Sequence, residues 1–220
     1  MEHFRQVVRS ARLYQHYRKC WSKSRLAILR WRAPREFRKW AKGAHSVNVI
    51  VGAGGVRYNN WFSTDYDILD VSTSNDWQRL FKPKTIDRIL AEHVWEHLSE
   101  KESQKALTEC YRYLKPGGRL RIAVPDGFHP NPGYLEYVRP GGKGQGSDDH
   151  KLLYDYKSLS KELKLSKFKV ELLEYWDENG RFHAVEWSSD DGHIHRSRRF
   201  DPRNRNGSLS YTSLIVDGRK

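Results

Sequence analysis

Two groups of acid–base side chains stand out. Asp126, His129, Asp148, Asp149 and His150 fall in and around a Gly- and Pro-rich stretch, residues 126–149. Glu92, His93, Glu96 and His97 form a second group within six residues. Imidazole and carboxylate side chains can take a proton near neutral pH, so either group could supply a general base. His150 and Asp126 come first as candidates. Each has a plainer reading: Asp126 as a turn residue before Gly127, and His150 as support for the helix that follows. His97 serves packing or acid–base work. His93 and His97 have helical i,i+4 spacing, but the His-Glu-x-x-His arrangement is missing and spacing supplies no third ligand, so no metal is expected.

A third constellation could hold a ligand. Val47 to Val51 is an apolar run that breaks into Gly52, Ala53, Gly54 and Gly55. Glycines at a strand end let a ligand approach the backbone, although they also end strands for structural reasons alone. Asp65 and Asp70 follow, and a Lys-Pro-Gly-Gly turn stands at residues 115–118.

These residues need elements to position them. Residues 47–51, 61–64, 85–91, 119–124, 169–176 and 209–216 read as strands, with a short strand around Ile68 and Leu69. Trp77–Phe81 reads as one helical turn. Ser99 with Glu102 makes a capping box for a helix over 99–114, and 154–165 reads as another helix. Residues 126–149 lack a period and read as a long loop. Residues 181–199 read as a hairpin turning at Ser189–Gly192, with His193 and His195 on one side of it. Alternating strands and helices argue for an α/β sheet covered on both faces.

The 220 residues suit one domain with an appendage. Residues 1–45 hold 13 Lys and Arg against Glu2 and Glu36, a net of +11 of the chain's +13. Apolar residues at helical spacing make this segment a basic amphipathic helical extension, broken at Pro34 and expected to pack on the core formed by residues 46–220. An anionic surface or an acidic partner suits it; so does a solvated basic face. Nucleic acid is the weaker expectation, because no RNA-binding module accompanies the charge. No segment reaches the roughly 20 apolar residues of a membrane span and no secretory signal precedes the domain, so a cytoplasmic location is expected.

Val51–Gly55, Asp65, Asp70, the Ala91–Leu98 segment AEHVWEHL and the Tyr111–Asp126 segment YRYLKPGGRLRIAVPD together resemble a class I S-adenosylmethionine-dependent methyltransferase over residues 46–218. In particular they resemble compact types associated with surface-sugar or glycan synthesis. The resemblance implies a Rossmann-like, mostly parallel seven-stranded sheet with an antiparallel seventh strand. It implies that Gly52, Ala53, Gly54 and Gly55 form the cofactor turn, and that Asp65 takes the ribose. Asp70 would lie near the adenine or its ribose, and Ala91 and Glu92 near the methionine end.

The implied reaction is methylation of a sugar hydroxyl in a glycan or nucleotide-sugar precursor, with His129, Tyr134, Asp149, Trp176 and Arg196 toward the substrate. A glycosyltransferase is the implied neighbour, as a partner or a fused domain. RNA or protein methylation, or a non-catalytic partner-binding domain, are the alternatives. One departure stands out. Nine residues between Gly55 and Asp65 leave no room for the usual first crossover helix, so the N-terminal helices are expected to cover the face it would vacate.

Overall fold

The computed structural model describes residues 23–204 and 207–220. The part of the basic extension over residues 1–22 lies outside the described residues. Seven strands form one sheet: β1 (Asn48–Val51), β2 (Phe62–Ser63), β3 (Ile86–Glu92), β4 (Leu114–Pro125), β5 (Lys169–Trp176), β6 (Phe182–Ala184) and β7 (Ser213–Arg219). Their order is β2-β1-β3-β4-β7-β5-β6. β1 to β4 run parallel, and β7 lies antiparallel between β4 and β5. The helices are α1 (Lys23–Ala41), α2 (Ser74–Leu80), α3 (Glu100–Tyr113), α4 (Pro132–Val138) and α5 (Tyr156–Leu165). Among the described residues no helix is long and apolar enough to cross a membrane.

Strand residues alternate between two faces. Val49, Val51, Ile89, Ala91, Ile122, Val124, Leu214 and Val216 join the larger core beneath the helices. Ile50, Leu90, Ala123 and Ile215 join a smaller core on the other face, closed by Trp61 and Ile194 with Tyr58 and Trp187 against it. Two loops without α-helix therefore cover that face, residues 53–61 and 185–200. Of the N-terminal extension, the described helix α1 does not cover this face as expected. α1 buries Ala33 and Phe37 in the larger core instead, and Phe37 meets Phe62 and Phe81 edge to face at 5.2 and 4.8 Å. α1 also runs unbroken through Pro34. An internal proline costs a helix about 3 kcal/mol, and the burial of Ala33 and Phe37 on either side of it offsets that cost.

Other expectations change for local reasons. Ile68 and Leu69 form a turn and not a strand, because both amides bond back to the Asp65 carbonyl. The loop over 126–149 contains α4. Asn131 caps it through Gly133 N and Tyr134 N, and Pro132 takes the first turn, where its missing N–H costs nothing. The 181–199 hairpin does not form. β6 pairs with β5 through a turn in which Asp177 Oδ1 accepts from Asn179 N and Arg181 N. Residues 189–191 are a single helical turn, and Asp191 is drawn to Arg88 and Arg119. β7 begins at Ser213 and not at Leu209, because the Asn204 side-chain amide pairs with the Tyr211 backbone.

Candidate active site

The parallel strands β1, β2 and β3 end side by side, and the glycine turn leaves the end of β1. Gly52 has φ +62°, and a Cβ built there would stand 2.4 Å from Val94 Cγ2. Only glycine fits, so the turn after β1 lies directly against the turn after β3. Gly54 and Gly55 also have positive φ, but a Cβ there would meet nothing within 4 Å. Their backbone is open on one side, as a bound nucleoside requires. Ala53 points inward and is buried. Its N–H bonds Thr64 O, tying the turn to the end of β2. Asp65 Oδ2 accepts from Gly54 N at 2.9 Å, which puts the acidic side chain on the open turn. These features fit a cofactor with a ribose, held by Gly52, Gly54, Gly55 and Asp65.

Other proposed cofactor contacts are used by the fold. Asp70 Oδ1 accepts from Ser72 N and Ser72 Oγ, shaping the entry to α2. Ala91 is wholly buried within β3. Glu92 oxygens accept His195 N at 3.1 Å and Arg196 N at 2.8 Å, so this carboxylate fastens the segment that crosses the strand ends. Two more buried charges hold the same segment. Arg121 Nη1 donates to Ser188 O and Gly192 O, and Glu174 accepts from Trp187 Nε1 and Arg198 N.

Asp126, a candidate base, is fully buried. It accepts from Phe128 N and Trp176 N, and burial pushes its pKa up to about 6. It ties the end of β4 to β5, and no acceptor can reach it. His129, Tyr134 and Trp176 likewise lie inside, at 3%, 5% and 9% exposure, so they do not line a cleft. The His129 and Tyr134 rings stack at 3.9 Å, while Tyr134 Oη and Trp176 Nε1 both bond Thr212. Their polar tips find partners, so their bodies can pack. Arg196 is half-exposed, 3.7 Å from Glu92.

His97 and His150 do come together. Their rings meet edge to face at 4.8 Å, and Asp149 Oδ2 is 3.5 Å from His97 Nδ1. The backbone brings them together: Lys151 N and Leu152 N both donate to Glu96 O, which seats the end of the 126–149 segment on the turn after β3. Burial lowers the His150 pKa, keeping the ring neutral near pH 7. Under this pair lies Glu96, 1% exposed. Burial raises its pKa, but the charges of His93 and His97 outweigh that and hold it below the usual carboxylate range. The sequence sets Glu96 among the acid–base side chains, but His97 alone of that group stood as a candidate base. Sequence reasoning set aside a metal because no third ligand followed from spacing; the third group, His150, comes from 53 residues downstream.

Residues 51–122, from the end of β1 into β4, match the family model described as a methyltransferase domain. No curated protein matches the sequence. Among solved structures, the chain is similar to a SAM-dependent methyltransferase from Archaeoglobus fulgidus, at 15% identity over 89% of this chain and 94% of that one, TM-score 0.46. It is also similar to a possible histamine N-methyltransferase from Thermotoga maritima, at 14% identity over 96% and 97%, TM-score 0.47. A third is the putative methyltransferase in a complex with the Haloferax volcanii Trm112 activator, at 12% identity over 88% and 90%, TM-score 0.45. Identities this low say nothing of an acceptor.

The sheet order and the open glycine turn define a Rossmann-like α/β domain. The matched span, residues 51–122, carries a methyltransferase domain, and with it an enzyme activity whose methyl donor is S-adenosylmethionine.

Proposed function

We propose that this methyltransferase acts on a hydroxyl, and that the hydroxyl belongs to a sugar in a glycan or nucleotide-linked precursor. One observation carries the hydroxyl reading. Val94 packs on the cofactor turn, and two residues later the chain presents Glu96 and His97 beside His150. A site that takes a proton thus sits next to the site that holds the methyl donor. S-adenosylmethionine supplies an electrophilic methyl on a sulfonium, so the protein must orient the acceptor oxygen and receive its proton. His150, kept neutral by burial, and His97 are the groups for that proton. In this reading Asp149, beside His97, and Arg196, beside Glu92, take polar groups of the acceptor. The sugar itself rests on the resemblance of the motifs to glycan-associated methyltransferases, and a cytoplasmic location and a glycosyltransferase neighbour accompany that reading.

The test is transfer of a labelled methyl group to a panel of nucleotide sugars, glycans, RNA and proteins. Labelling of a sugar hydroxyl is the expected result, and selective labelling of RNA or protein overturns it. His150→Ala should lower turnover while calorimetric affinity for S-adenosylmethionine stays unchanged. Asp65→Ala should do the reverse and weaken cofactor binding. One observation favours RNA as the second reading: Arg32, Arg38, Lys39 and Lys42 place positive charge on α1 and just beyond it.

A further inference from the structure

The turn after β3 carries a buried carboxylate whose one close side-chain partner is an imidazole. Glu96 is 1% exposed. His93 Nδ1 stands 2.9 Å from Oε1 and is its close partner, while Oε2 has no side-chain partner among the described residues. His93 compensates one oxygen of this buried carboxylate, and the other is a natural ligand for a further cation.

Two imidazoles lie beside it. One donor atom from each of Glu96, His97 and His150 falls within 4.8 Å of the other two. His150 Nδ1 is 2.6 Å from Val138 O. A carbonyl only accepts, so Nδ1 carries the proton and Nε2 keeps its lone pair. This is the pattern in which a backbone carbonyl orients a ligating histidine. His97 Nδ1 is also buried and makes no hydrogen bond among the described residues. Beneath the carboxylate, His93 is itself fixed by Nε2 to Ser213 Oγ at 3.1 Å, a supporting contact of the kind metal sites use.

We propose that Glu96, His97 and His150 bind one divalent transition cation of the zinc type per chain. Two imidazole nitrogens and a carboxylate oxygen suit zinc or a first-row neighbour, whereas magnesium and calcium prefer oxygen throughout. The half-buried histidines need to draw in slightly to reach ligand distance, about 2.0–2.2 Å from the ion. Three protein ligands leave a fourth position open. The role of the ion rests on the hydroxyl reading above. There it would bind the acceptor oxygen and make its proton more acidic; with His97 and His150 engaged as ligands, the proton would pass to water in place of the imidazoles named above, and only the hydroxyl acceptor is kept from that reading.

The experiment uses the full-length chain, free of any tag and stripped with a chelator. Zn2+ is titrated in competition with a chromophoric chelator, and Co2+ is followed by its visible absorption. One equivalent should bind. His97→Ala and His150→Ala should each weaken binding by more than about 100-fold, beyond the loss typical of an outer partner, while His193→Ala leaves it unchanged. Both histidines are partly exposed, so these variants should keep the wild-type circular dichroism. No binding of either ion at micromolar concentration, or unchanged affinity in both variants, overturns the proposal. Methyl transfer to a hydroxyl by the stripped protein would overturn the ion's role and leave the functional reading standing.

Discussion

Replacing Gly52 with alanine tests the contact that joins the cofactor turn to the acceptor side. Two costs can be read from the structure. The backbone sits at φ +62°, where a residue with a Cβ loses roughly 1–2 kcal/mol. The new Cβ would also stand 2.4 Å from Val94 Cγ2, far inside contact distance, and overpacking of this kind costs about 1–3 kcal/mol. The sum is roughly 2–5 kcal/mol, a large share of the ~5–15 kcal/mol that holds a typical domain together.

The two costs separate in a mutant cycle. Val94→Ala removes the obstructing methyl, so Gly52→Ala in that background should retain only the conformational cost. The measured coupling should reach at least ~1 kcal/mol. Gly54→Ala is the internal control: φ is +54° but no atom lies within 4 Å, so only the conformational cost applies. Urea unfolding reads stability, and calorimetry with S-adenosylmethionine reads the turn. Additivity of Gly52→Ala and Val94→Ala within about 0.5 kcal/mol would refute the contact, and with it the argument that the turn after β1 lies directly against the turn after β3.

Further outcomes follow from buried charges and caps. Asp217 and Arg121 are both fully buried and joined at 2.8 Å, and Arg121 also holds Ser188 and Gly192. Asp217→Asn should therefore cost about 3–5 kcal/mol in urea unfolding and expose residues 185–200 to protease; a loss under ~1 kcal/mol would contradict this. Asp126, raised by burial to about 6, binds its proton more tightly folded than unfolded. Its contribution is full below about pH 4 and is lost as pH rises through about 6, by roughly 3 kcal/mol. Asp126→Asn should flatten the stability profile over that window, and an unchanged slope would show that another group titrates. Ser99 caps α3 in a complete capping box. Ser99→Ala should lower stability by about 1 kcal/mol, checked by thermal unfolding, with S-adenosylmethionine affinity unaltered.

Local chemistry was readable in the sequence wherever a short segment determines its own structure. The apolar run into Gly52–Gly55 placed β1 and its turn, because only glycine accepts that backbone. Ser99 and Glu102 announced α3, since a capping box lies within four residues. The interval from Gly55 to Asp65 is too short for a helix, and none forms there. Asn131-Pro132 also carried the signal for α4, a cap followed by a proline, inside a stretch whose composition reads as loop.

Long-range pairing escaped for a physical reason: burial and charge compensation depend on what the rest of the chain brings alongside. Asp126 and His129 have the residue types of a base, but β5 and β7 close over them and leave them structural. Glu92 serves as an anchor because His195 and Arg196 arrive from more than 100 residues away. His150 became the partner of Glu96 and His97 through two backbone bonds to Glu96 O, which no spacing encodes. The turn over Gly52–Gly55 was legible in the sequence because its backbone geometry is local. The meeting of His97 with His150 was not, because it depends on where a distant loop comes to rest.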